Sequence, residues 1–295
     1  MKKLLLIPLH DVLAGMEPVM RIRNPIKAMA PMLLAMLVTW FLYVPVHELL
    51  HVLGCVGTGG EVTELSLRPW YGGTILQQYF DFIVPDSNYA GQLTGFDTNG
   101  SDLVYLATDF LPFTLSVLFG VPLLRFCTRK RHPILLGPAI VLGMAPFYNL
   151  PGDYYEMSSI ITTRVVTMVF GEDNADNPSA IEPPQAVEAD ANTPVKSAST
   201  IQYECVRSDD VFSLISNIFT KPKELGLPTA GSMIVAIVLV LVSIDVSIVL
   251  AFITYFLGDL VARATIGPPR IIQLDAPRRR PTKRRKTLSQ DSRQE

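Results

Sequence analysis

The sequence predicts an all-α membrane fold, a polytopic helical bundle with a small juxtamembrane β-hairpin or loop element. Three observations predict it. Apolar residues make up 49% of the 295 residues and the mean hydropathy is positive, which departs from the composition of an ordinary soluble domain. The stretch 233–260, MIVAIVLVLVSIDVSIVLAFITYFLGDL, exceeds the roughly 20 residues that cross a hydrocarbon core of about 30 Å. Charge is segregated along the chain, as it is in proteins oriented across a bilayer.

Taken in order, positions 1–29 carry five Lys/Arg against two acids. Their apolar run is short and no small-residue cleavage site follows it, so they read as a retained interfacial segment rather than an export signal. A membrane core is expected over 30–170, with apolar segments at 30–54, 103–126, 133–150 and 153–170. With 233–260 these give a central count of five crossings, of which 133–150 and 153–170 are short enough to be tilted or re-entrant.

Between the first two segments, 55–102 carries six acids against Arg68 alone. Gly57, Gly59 and Gly60 end the helix there, and Val62, Leu65 and Leu67 suggest one strand or hairpin at the membrane surface. The 125–131 loop, RFCTRKR, carries four bases and no acid. The Lys/Arg bias therefore places the N-terminus and 125–131 in the cytoplasm and 55–102 on the opposite side. Continued alternation places 150–153 on that opposite side as well. Five full crossings then conflict with the tail 263–295, whose ten bases against three acids belong inside.

Positions 171–228 read as a flexible acidic loop followed by a short amphipathic or re-entrant segment, DVFSLISNIF. Residues 171–200 hold too few large apolar groups to offset the entropy of ordering them. A C-terminal transmembrane segment over 229–262 and a basic disordered tail complete the chain. The tail is expected to contact anionic lipid, and no nucleic-acid partner is expected from basic charge alone. Three cysteines form no CxxC pair and no disulfide framework.

The chemistry concentrates in HELLH at 47–51. Four residues apart on a helix, His47 and His51 share a face and can approach one metal ion, while Glu48 stands on the neighbouring face as a general base. Two imidazoles and a carboxylate suit Zn²⁺ and leave a position for water. For the third ligand, FYNLPGDYYEMSS offers Asp153 and its rival Glu156, three residues apart and able to face inward together. Spacing leaves the two open. In the long C-terminal span, Asp245 with Ser243 and Ser247 reads as a buried structural hydrogen-bonding group, with a face toward a water path or a partner helix as the alternative, and Asp109 reads as an interfacial residue.

HELLH at 47–51, GTGGEVTEL at 57–65 and NLPGD at 149–153 together resemble the site-2 protease family of intramembrane zinc metalloproteases. The resemblance covers the membrane core. It implies His47, His51 and Asp153 as zinc ligands, Glu48 as catalytic base and Asn149 as a residue that positions substrate backbone. It further implies cleavage of a membrane protein or membrane-associated peptide by an integral, multi-pass enzyme, expected in a prokaryotic cytoplasmic or inner membrane. The alternative is a membrane transporter or metal-binding regulator that holds an ion with the same groups.

Overall fold

The computed structural model describes residues 6–21, 24–130, 132–170, 205–208 and 210–268. The expected acidic loop 171–200 and the tail beyond 268 lie outside them.

Helix α1 spans Ile7–Met20 and α2 spans Pro25–Gly57. Asn24 caps α2 through the Lys27 N–H, Pro25 supplies a preset first-turn φ, and the chain leaves the helix at Gly59 with φ +100°. Three strands follow: β1 at Glu61–Leu67, β2 at Ile83–Val84 and β3 at Gly91–Asp97. Their order is β2-β1-β3, with β1 parallel to β2 and antiparallel to β3, so the expected strand or hairpin is a small mixed sheet. Leu65, Leu67 and Ile83 seal it against Val44 of α2.

Helix α3 runs over Asp102–Lys130, interrupted by a 3₁₀ turn at Leu111–Phe113 and a π turn at Ser116–Gly120. Next come α4 at Pro133–Gly143, a helical turn at Ala145–Tyr148 and α5 at Asp153–Phe170. The last two are α6 at Val211–Thr220 and α7 at Ala230–Thr265, the latter opened by a Thr229–Ser232 capping box. The chain is mostly helical, and among the described residues three helices, α2, α3 and α7, are long and apolar enough to cross a membrane.

Five crossings are expected from the sequence; among the described residues three helices have the length and composition to cross. At about 1.5 Å per residue, the 11 residues of α4 span about 16 Å and the ten of α6 about 15 Å, too short to cross. Residues 150–153 make a break between helices, and Asp153 at its end lies against His47 and His51, six to ten residues before the end of α2.

Contacts fix the direction of each helix. A Cβ on Gly137 of α4 would meet the Met32 carbonyl and the Met36 amide, whereas Asp153 at the start of α5 meets His47 and His51. The α4–α5 segment thus climbs alongside α2 in the same direction. Helix α5 runs against α7, with Tyr154 bonding Thr254 at 2.8 Å and Ser158 bonding Ser247 at 2.7 Å. It also runs against α3, since Tyr105 pairs with Glu156 and Asp102 pairs with Arg164. Helices α3 and α7 descend together, joined by Arg125 to Asp259 and by Arg129 to the Ile266 carbonyl.

At the end away from the sheet, α1 is locked in by charge. Buried Arg125 binds Asp11 of α1 at 2.9 Å and Asp259 of α7; Tyr255 donates to Asp11 at 2.9 Å and Arg263 to Asp259 at 2.7 Å. Val19, Met32, Leu124 and Leu136 pack beside this knot. Removing one member of a buried pair strands the others in a low-dielectric interior. Arg125→Met should therefore destabilise the fold by about 3–5 kcal/mol, read as a lowered thermal midpoint in detergent. An unchanged midpoint would show that the pairing is energetically idle.

Candidate metal centre

His47 and His51 lie on the buried side of α2, one turn apart. Asp153 enters from α5, whose start is set by the break at Leu150–Pro151–Gly152: the Gly152 and Tyr154 amides both bond the Asn149 carbonyl. The three donors form a compact triangle. His47 Nε2 is 3.1 Å from His51 Nε2 and 3.1 Å from Asp153 Oδ2, and His51 Nε2 is 3.7 Å from the same oxygen.

The outer nitrogens of both rings are held. His51 Nδ1 lies 2.9 Å from the Thr108 carbonyl, which can only accept, so the ring carries its proton on Nδ1 and presents a bare Nε2 to the triangle. His47 Nδ1 lies 2.8 Å from the Tyr43 hydroxyl, and the Asn149 amide reaches that hydroxyl at 3.5 Å. Ligand rings are oriented in this way in metal sites, with the second nitrogen bonded to a fixed partner.

These residues fit a metal ion. Donors about 2.0–2.1 Å from a tetrahedral ion stand about 3.3 Å apart, close to the observed edges. Two imidazole nitrogens 3.1 Å apart beside a carboxylate also need a proton or a cation between them. His47, His51 and Asp153 form the one His/Cys/Asp/Glu group with this geometry among the described residues. The rival Glu156 stands outside it, bonded to Tyr105.

Glu48 is buried next to the triangle without belonging to it. Its side chain lies over Gly91, the first residue of β3, where an added Cβ would come within 2.5 Å of Glu48 Cγ. The sheet thus supplies the wall that sets the Glu48 side chain. A second close approach holds the other side: at Gly54 an added Cβ would meet the Ala107 carbonyl at 2.7 Å and Thr108 Cα at 2.9 Å. Contact between α2 and α3 at that point brings the Thr108 carbonyl to His51.

Asn149, expected to position substrate backbone, is half-buried. It donates to the Ala145 carbonyl at 3.2 Å and supports Tyr43. Asp109, expected at the membrane interface, is buried in the wall of the site. It follows Thr108, lies i+4 from Tyr105, shares its surroundings with Glu156 and Asp153, and has one carboxylate oxygen without a hydrogen-bond partner. Sequence reading missed Tyr43, Thr108, Gly54 and Gly91. Only Tyr43 had a legible signal, its place one turn before His47 on the same helical face.

Fold and site together define a mostly helical chain with membrane-length helices and a buried His-His-Asp group able to bind a metal ion. Compared with known protein families, curated proteins and solved structures, the chain matches none.

Proposed function

We propose that this chain is an intramembrane zinc metalloprotease that hydrolyses a peptide bond of a membrane protein or membrane-associated peptide. The observation that carries this reading is the donor triangle of His47, His51 and Asp153 with Glu48 buried beside it. Two imidazoles and one carboxylate are a donor set suited to zinc, and they leave a coordination position open. In this reading the three residues hold the ion, with the Thr108 carbonyl keeping His51 in its binding tautomer and the Tyr43 hydroxyl orienting the His47 ring.

Bound there, zinc supplies Lewis-acid polarisation of a peptide carbonyl and makes water acidic enough to attack near neutral pH. The remaining steps belong to the chain. The Glu48 carboxylate accepts the proton of the attacking water and returns it to the leaving amide nitrogen. Burial of Glu48 and both histidines excludes bulk water from that transfer. Among the described residues β3 pairs with β1 alone, so an extended substrate segment added to its other edge would run past Glu48 at Gly91.

The helix directions support a four-pass membrane arrangement in which α4 and α5 together form one broken crossing. The break is tolerable because protein surrounds it. With four passes both termini share a side, which removes the conflict between five crossings and a basic tail. Asn149 acts in this scheme as a positioning residue through Tyr43.

The reading is tested by mixing zinc-loaded protein in detergent with transmembrane peptides and identifying new termini by mass spectrometry. Chelator-sensitive cleavage is expected; intact peptides under all conditions would sink it. Gly91→Ala gives a finer test, since it forces the Glu48 side chain aside while leaving the ligands in place. Cleavage should fall by about a hundredfold, the scale of a displacement of about 1 Å, at unchanged zinc content.

A second reading, ion transport through the same site, draws on Asp109 and Glu156, two further carboxylates at the α3–α5 interface. Glu48 separates the readings, because transport survives its neutralisation unless that carboxylate lies on the ion path.

A further inference from the structure

The bundle pairs several of the charges it carries in its helices. Arg125 is bonded to Asp11 and Asp259, and Asp102 to Arg164 and Arg207. Asp245 of α7 is exposed and forms no hydrogen bond or ion pair among the described residues. It is also the sole charged residue between positions 230 and 258. The sequence groups it with Ser243 and Ser247, but those two serines are buried, Ser247 bonding Ser158 of α5, whereas Asp245 is exposed.

The surface around Asp245 is apolar. The residues three, four and seven positions away on the same helical face, Val238, Leu241, Val242, Ile248 and Val249, are exposed to between 38% and 56%. In a bilayer this face meets lipid tails, and a carboxylate there is expensive. Lysine and arginine escape by reaching for the headgroups, whereas aspartate has one methylene. Asp245 stands 12 residues from Met233 at the start of the apolar run, about 18 Å along the helix, so headgroups are out of its reach.

We propose that this face of α7 is the docking surface for a transmembrane helix of another protein that carries a lysine or arginine near its centre. Charge complementarity selects that occupant. A second copy related by a two-fold axis through this face would set Asp245 against Asp245, two like charges in a low dielectric. A basic side chain neutralises the carboxylate, and the surrounding Val, Leu and Ile residues supply the packing surface. This inference needs no catalytic activity and stands apart from the proteolytic reading.

The test uses the full chain, donor-labelled, in phosphatidylcholine vesicles. The probes are three acceptor-labelled transmembrane peptides of polyleucine, one with a single central lysine, one with leucine in its place and one with aspartate there. Energy transfer should report about tenfold tighter association of the lysine peptide, the scale of one interhelical polar contact. Asp245→Asn should lose most of that preference and Asp245→Leu all of it. Asp245→Lys should reverse it, favouring a peptide with a central aspartate and showing that the variant still folds. Equal binding of the lysine and leucine peptides to wild type would overturn the proposal, as would a lysine preference that survives Asp245→Leu. Self-association that depends on Asp245, with no peptide preference, would assign the face to a second copy and overturn it too.

Discussion

Glu48→Gln is expected to abolish peptide cleavage and leave metal content at the wild-type level. Glutamine fills the same space over Gly91, so the wall contact with β3 survives. Glu48 is not one of the three clustered donors, so the ion keeps its ligands. What disappears is the group that accepts a proton from the attacking water, a role worth roughly 10²–10⁴ in rate. The check is a paired measurement of zinc by mass spectrometry and of new peptide termini. Loss of zinc in this variant would make Glu48 a ligand, and full activity would remove it from the chemistry. Unchanged ion flux with no cleavage in either protein would favour transport.

The second large effect separates the two carboxylates of α5. Asp153→Ala should lower zinc affinity at least about a hundredfold, since deleting a direct ligand costs no less than the 10–100-fold typical of outer-shell changes. Glu156→Gln should leave zinc bound, because Glu156 bonds Tyr105 outside the donor triangle. Competition with a chromogenic chelator measures both. The opposite pattern would transfer the third ligand to Glu156 and require α5 to slide along its axis by about 4.5 Å, three residues of rise.

The HELLH segment was legible because helix periodicity is local: residues four apart share a face whatever the rest of the chain does. Tyr43 could have been found by the same rule. The third donor was harder, since Asp153 is 106 residues from His47 and both carboxylates of α5 can face inward. What decides between them is the start of the helix at the Asn149–Gly152 turn, a tertiary feature. The Thr108 carbonyl left no trace in sequence, because any residue presents a carbonyl. Gly91 could not be connected with Glu48 before the order β2-β1-β3 was known.

The membrane helices show the same division. Long runs such as 233–260 announce themselves through length and hydropathy. The direction of α4 and α5 does not, because Asn, Pro and Gly mark a break within a bundle and a loop outside it in the same way. The charge conflict at the basic tail disappears in the four-pass arrangement proposed above, which draws on the close packing of Gly137 on Met32 and Met36. Asp109 and Asp245 were misplaced for a related reason: one residue on a helix points inward or outward according to packing that the hydropathy of a window averages away.

X-ray absorption at the zinc edge, on the full chain purified in detergent, tests the central claim most directly. The account predicts one zinc per chain with two imidazole nitrogens and a carboxylate oxygen at about 2.0–2.2 Å, and loss of the imidazole scattering in His47→Ala and His51→Ala. A chain that binds no zinc after loading, or a bound zinc whose spectrum is unchanged by those substitutions, would contradict it.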